Sequence, residues 1–225
     1  MKKLVLAAVA AVTIAGAAHA ATVTTHNGAP YPGLPDGQTM FMDFDHDTPT
    51  GVSLTGNYTI YSTPSGTGES APPAGSPLGN GYLSVPNPVS SGSATLNFTN
   101  YLNTNNLKVD ALSFYWGSVD SYNWVDLLDR NGNVFQTIQG GDFLPASGNQ
   151  TAPNTNLRFN FAMGANDDLG GLRFHSNGFA FEIDNIAMSV SAVPEPHTWL
   201  TMIAGFGMVG FMLRRSRRAE GIAIA

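Results

Sequence analysis

The sequence predicts an all-β chain, an antiparallel jelly-roll-like sandwich flanked by an N-terminal signal-peptide helix and a C-terminal single transmembrane helix. Three observations lead there. From Thr39 onward short apolar runs alternate with turn signals, and no stretch of the body keeps a helical period. Charged residues are only 12% of the chain, while 25 Gly and 14 Pro supply turns and 13 Phe, 7 Tyr and 3 Trp can fill a core. The apolar segments at the two ends lack this alternation and adjoin basic residues.

Taken in order, residues 1–20 have the layout of a secretory signal peptide. Lys2 and Lys3 form a positive start, an apolar run follows, and Ala18-His19-Ala20 supplies a small-x-small cleavage pattern that leaves Ala21 as the mature start. Strands are expected at 39–45, 56–62, 80–85, 93–99, 107–117, 122–129, 133–139, 156–163, 170–175 and 178–190. Phe159, Phe161 and Met163 alternate with polar residues, and Phe179, Phe181, Ile183 and Ile186 nearly do. Asn131-Gly132 and Asn177-Gly178 are two-residue hairpin signals. The low-complexity run 64–81 reads as a flexible surface loop, and 140–156 as a second long loop. No internal repeat points to a solenoid or to a regular Thr-rich ice-binding face.

Charge narrows the partners. Residues 21–193 hold four basic and fourteen acidic side chains, a net charge of −10. Such a body repels phosphate backbones and excludes nucleic acid, while it suits divalent cations and neutral glycans. With no cysteine there is no disulfide, thiolate metal site or cysteine nucleophile.

The C-terminal tail is the most specific segment. Residues 199–213 carry no charge and Arg214, Arg215, Arg217 and Arg218 follow at once. As a helix this run is about 22 Å long, short of a ~30 Å hydrocarbon core, with Trp199 at one interface and the arginines snorkelling at the other. The positive-inside rule keeps 219–225 cytoplasmic and the acidic body outside. Ahead of the helix, two prolines hold Pro194-Glu195-Pro196 extended and accessible to a protease. The order Pro194-Glu195-Pro196, Trp199, Gly205-x-Gly207, Arg214-Arg215 resembles the PEP-CTERM sorting signal, also labelled an ice-binding protein C-terminal domain. His197 and Leu200 stand where small residues are usual, and the chain runs on past the arginines. The resemblance implies export by the Sec machinery, retention at the inner membrane and recognition by exosortase, in bacteria that make exopolysaccharide. More weakly, the segments around Met42-Asp43-Phe44-Asp45, Trp116 to Asp129 and Phe181 to Ile186 resemble surface proteins with carbohydrate-binding-module-like sandwiches. In those modules the first and last strands pair and hold structural calcium.

Three constellations are candidates for chemistry. Asp43, Asp45 and Asp47 share one face of an extended strand, and Asp184 would join them if the first and last strands pair, giving a structural calcium site. The plainer reading is a solvated acidic strand end, and the spacing is not that of an EF-hand, since the twelfth position is Leu54. Trp116, Tyr122 and Trp124 flank one turn and could form a glycan platform beside Asp120 and Asn123, against core packing for at least one Trp. Catalysis has thin support. His26, His46 and His175 lack ligand spacing, Ser113, Ser118 and Ser121 lack a nucleophile elbow, and Glu182 and Asp184 imitate a glycosidase pair but read more simply as a solvated strand face. The function expected is a non-catalytic glycan-binding or structural module of the cell envelope or matrix, with a secreted carbohydrate-active hydrolase as the alternative.

Overall fold

The computed structural model describes residues 21–27, 34–65, 69–77, 79–143, 145–152, 154–193 and 196–220. The signal peptide expected at 1–20, Pro194, Glu195 and the tail 221–225 lie outside these residues. Twelve strands are described: β1 (Thr22–Asn27), β2 (Thr39–Met42), β3 (Ser53–Gly56), β4 (Thr59–Tyr61), β5 (Tyr82–Val85), β6 (Gly92–Asn97), β7 (Leu107–Gly117), β8 (Asn123–Asp129), β9 (Val134–Gln139), β10 (Leu157–Ala162), β11 (Leu169–Ser176) and β12 (Phe181–Ala192). They form two antiparallel sheets, in the orders β1-β10-β7-β12-β5-β4 and β3-β6-β11-β8-β9, with β2 also paired to β12. The expected sandwich is present. Among the described residues two α-helices join it, α1 (Thr99–Thr104) and α2 (Pro196–Glu220).

Period-two alternation builds the core. Leu112, Phe114 and Trp116 of β7, Phe159 and Phe161 of β10 and Phe181, Ile183 and Ile186 of β12 turn inward from the seven-stranded sheet. Ala94 and Leu96 of β6, Val125 and Leu127 of β8 and Leu172 and Phe174 of β11 meet them from the five-stranded sheet. The two sheets interlock through aromatic edges: Phe174 stands edge-on to Phe114 at 5.5 Å and 90° and to Phe181 at 5.4 Å and 84°. Such pairs add to the area they bury, and truncating any one of these rings costs about 3–5 kcal/mol.

Two sequence expectations change. Asn131-Gly132 does turn β8 into β9, with Gly132 at φ 84° and Asp129 Oδ1 accepting from the Asn131 and Asn133 amides at 2.8 Å. Asn177-Gly178 is no hairpin. β11 and β12 lie in different sheets, and the connection crosses between them beneath the Tyr122 ring, where a Cβ on Gly178 would come within 2.9 Å. The threonine-rich start, where no strand was expected, forms edge strand β1 against β10, with Val23 half-buried. β-branched threonine suits that half-exposed edge. No helix among the described residues is long and apolar enough to cross a membrane. The uncharged run is only fifteen residues, broken by Gly205, Gly207 and Gly210, and any extension meets Thr198 and His197 or the arginines.

Candidate functional site

The outer faces of the two sheets have opposite fates. On the seven-stranded sheet, Tyr82 and Ser84 (β5), Ser113 and Tyr115 (β7) and Glu182 and Asp184 (β12) point away from the core, and all six are buried. What covers Tyr82, Tyr115, Glu182 and Asp184 is the segment expected to be a flexible loop. Its described residues are tied down along their length. Ser70 Oγ donates to Tyr82 Oη at 3.4 Å, Ala71 N to Glu182 Oε1 at 3.4 Å and Ala74 N to Asn156 Oδ1 at 3.0 Å. Ala74 O accepts from Tyr115 Oη at 2.9 Å, and Ser76 Oγ donates to Asp184 Oδ2 at 3.2 Å. Pro73 seats directly on Gly117, where an added Cβ would sit 2.9 Å from it. A low-complexity composition hid this strap because its contacts are main-chain, serine and proline contacts, which carry no apolar period.

Burial under the strap dominates the two carboxyls. It raises Glu182 to about 8, against the lowering effect of hydrogen bonds from Ser118 and the Ala71 amide. It raises Asp184 to about 7, with further raising from Asp45 and Asp43. These two do share one side of the strand, but that side is buried rather than solvated. At the edge of the strap, Glu69, Ser118, Asp120, Tyr122 and Gln150 help to line a polar pocket of about 350 Å³, whose lining includes Glu182, itself 1% exposed.

The five-stranded sheet presents a polar face that no segment among the described residues covers. One row of the register runs Thr55, Thr95, Arg173, Asp126, Thr137 across all five strands. The next runs Ser93, His175, Trp124, Gln139. Thr55, Thr137 and Gln139 are exposed, and Thr95, Arg173, His175 and Trp124 are half-buried. At the usual strand spacing this face is about 19 Å wide. Trp124 stacks on His175 with ring centroids 4.7 Å apart and planes 7° from parallel. Beneath them Asp126 accepts from Thr137 Oγ1 at 2.6 Å and from Arg173 Nη2 at 2.9 Å, and lies 2.9 Å from His175 Nε2. Burial alone would raise the Asp126 carboxyl, but the bonds from Thr137, Arg173 and His175 outweigh it and hold the group below the usual range. The charge is thus fixed and pins the Arg173 and His175 side chains, which in turn orient the indole.

The aromatic trio separates. Trp116 is fully buried, 4.2 Å from Phe181 and 4.7 Å from Phe159, so it offers no face to a ligand. Tyr122 donates to Phe179 O at 2.8 Å, beside the pocket. Of the three, Trp124 alone reaches the open face. Sequence reasoning missed Asp126, Arg173 and Thr137. The signal was the pairs Trp124-x-Asp126 and Arg173-x-His175, which put like-facing residues two apart, but their alignment depends on register.

The acidic group is drawn together only in part. β2 does pair with β12, but Asp43 is taken up by the Asp45 and His46 amides at 3.1 and 3.2 Å and by His46 Nδ1 at 2.8 Å. Asp45 accepts from the Gly81 amide and Asp184 from the Asn185 amide, while Asp47 is exposed. Among the described residues no group of three or more His, Asp or Glu side chains could hold a metal ion.

Pro196 opens α2, which carries Trp199, Gly205, Gly207, Arg214 and Arg215. No curated protein matches the chain. Among solved structures it is similar to a mutant of the carbohydrate-binding module CBM29-2, prepared to probe ligand recognition by family 29 modules, at 12% identity and a TM-score of 0.40 over 71% of this chain and 96% of that one. Residues 192–218 match the family model of the PEP-CTERM protein-sorting motif, and the chain therefore carries that motif at its C-terminal end.

Proposed function

We propose that this chain is an exported, non-catalytic polysaccharide-binding protein of the cell envelope or extracellular matrix, delivered to the inner membrane by the Sec machinery and sorted there by exosortase. The sorting motif at 192–218 supports the route. The carrying observation for binding is Trp124, half-exposed on the uncovered sheet face and held by the His175–Asp126–Arg173 network. An indole fixed in this way needs no reordering to stack on the apolar face of a sugar ring, so little side-chain entropy is lost on binding. Exposed Thr137 and Gln139 on the adjacent β9 flank it, and exposed Thr55 lies three strands away on the same face, side chains that suit sugar hydroxyls. A neutral exopolysaccharide fits best, since the acidic body repels polyanions.

The hydrolase alternative gains nothing from the geometry of Glu182 and Asp184, both 1% exposed under the strap. The test is retention of the purified chain on immobilised neutral exopolysaccharide, with Trp124→Ala alongside. Loss of retention in the variant at unchanged melting temperature is the expected result. Equal retention of both removes the platform.

A further inference from the structure

The last strand leaves no slack before the Pro-Glu-Pro triplet of the sorting motif. β12 stays paired with β7 to its end, with Val190 opposite Val109, Ser191 opposite Lys108 and Ala192 opposite Leu107. Pairing continues one residue further through a single side chain. The Val193 amide donates to Asn106 O at 2.9 Å, and Asn106 Nδ2 donates to Val193 O at 2.8 Å. That carbonyl belongs to the peptide bond that leads into Pro194. Asn106 is itself held in the left-handed region at φ 52°, with its amide donating to Asn103 O at 3.2 Å. Arg130 fastens the same turn, donating to Asn103 Oδ1 at 2.5 Å and to Leu107 O at 2.6 Å while paired with Asp168 at 2.7 Å.

A protease that reads a motif as an extended strand bonds to the backbone on both sides of it. Here the residue on the N-terminal side is already bonded on both its N–H and its C=O. Enzyme and sandwich therefore compete for the same two groups. We propose that Asn106 is a latch on Val193 that limits the rate at which the adjoining motif is processed, so that exosortase acts on chains whose β12 end has frayed from β7. Asn106 is a positioning residue, remote from the scissile bond. The inference rests on the sorting reading above.

The test follows the full chain by pulse-chase in an exosortase-bearing host, with mature termini read by mass spectrometry. Asn106→Gly tolerates the left-handed backbone and keeps the main-chain acceptor, so it deletes only the side-chain bond. It is expected to speed conversion roughly two- to fivefold, the leverage of one solvent-accessible hydrogen bond. Four Gly/Ser residues inserted between Val193 and Pro194 should speed conversion similarly and make Asn106→Gly silent. Hydrogen exchange at the Val193 amide should quicken in Asn106→Gly while the melting temperature holds. If conversion is absent, or is the same in Glu195→Ala or in a host without exosortase, the sorting reading fails and the latch goes with it. If conversion needs exosortase and Glu195 but runs at wild-type speed in Asn106→Gly and in the insertion, the latch alone is overturned.

Discussion

The two outward faces of this sandwich are built from the same alternation and put to opposite ends. On the seven-stranded sheet the outward residues include two tyrosines and two carboxyls, all buried beneath a proline-bearing strap. On the five-stranded sheet they include one carboxylate, fully bonded to Thr137, Arg173 and His175, and no described segment lies over it. Polarity alone does not distinguish the faces. The difference lies in how each charge is satisfied. Glu182 and Asp184 accept hydrogen bonds from neutral donors, so burial wins and they hold their protons up to about 8 and about 7. Asp126 has cationic and hydroxyl donors at its side and stays ionised. A covered face can tolerate neutral acids, whereas an open one keeps a fixed charge that organises its neighbours.

The largest expected effect separates the faces by pH. Folding raises Glu182 and Asp184 above their unfolded values near 4.5 and 3.8, so the folded chain binds more protons in between. Stability from these two groups is full below about pH 4, falls as pH rises, and is lost above about pH 8. Each tenfold gain in proton affinity on folding corresponds to about 1.4 kcal/mol, which puts an upper bound of about 5 kcal/mol on Glu182 and about 4 kcal/mol on Asp184. Asp126 works the other way and loses its contribution as pH falls below about 4. The melting temperature should therefore peak near pH 4–5 and decline toward pH 8.5. Glu182→Gln should raise it at pH 8.5 and flatten the decline. A calorimetric profile rising from pH 5 to 8.5 would break the contrast between the faces.

Next comes the pair of tryptophans. Trp116→Ala opens a hole beside Phe181 and Phe159 and should cost about 3–5 kcal/mol. Trp124→Ala should cost about 1 kcal/mol or less in denaturant titration while abolishing polysaccharide retention. The reverse order of stability losses would mean that Trp124, too, is core.

A smaller effect tests the strap. Gly117→Ala places a methyl 2.9 Å from Pro73 and must lift the cover locally, at about 1–3 kcal/mol. Cleavage within 69–77 by a broad-specificity protease should then appear under conditions that leave the wild-type chain intact. An unchanged digestion pattern would mean that Pro73 yields without releasing the segment.

Much of the fold could be read from period-two alternation, which set Phe159 and Phe161 on one face of their strand, whereas Trp116, expected on a ligand platform, lies in the core. The pairing of the first expected strand with the last followed from the resemblance to carbohydrate-binding-module-like sandwiches. What composition concealed was set by register and by the main chain. Nothing local in the sequence says that Asp126 faces Arg173 and Thr137, since those contacts join three strands. Nor does a Gly/Ser/Pro run announce that its amides will satisfy Glu182 and Asn156. Asn177-Gly178 misled for a related reason: the dipeptide favours a tight turn but does not decide whether the next strand joins the same sheet.

The smallest effect addresses how the open face is organised. Asp126→Asn keeps the size of the side chain and one acceptor for Thr137 Oγ1, but removes the charge that Arg173 and His175 share. A partly exposed network of this kind is worth about 1 kcal/mol or less to stability, so melting should shift by only about 2–4 °C. Binding should suffer more than folding, because the indole loses the support that orients it while the sugar-facing atoms stay in place. Retention on neutral polysaccharide should weaken several-fold in Asp126→Asn and recover little with added salt. Were the variant to bind as well as wild type, the indole would be held by its stacking on His175 alone, and the carboxylate would serve the sheet rather than the ligand.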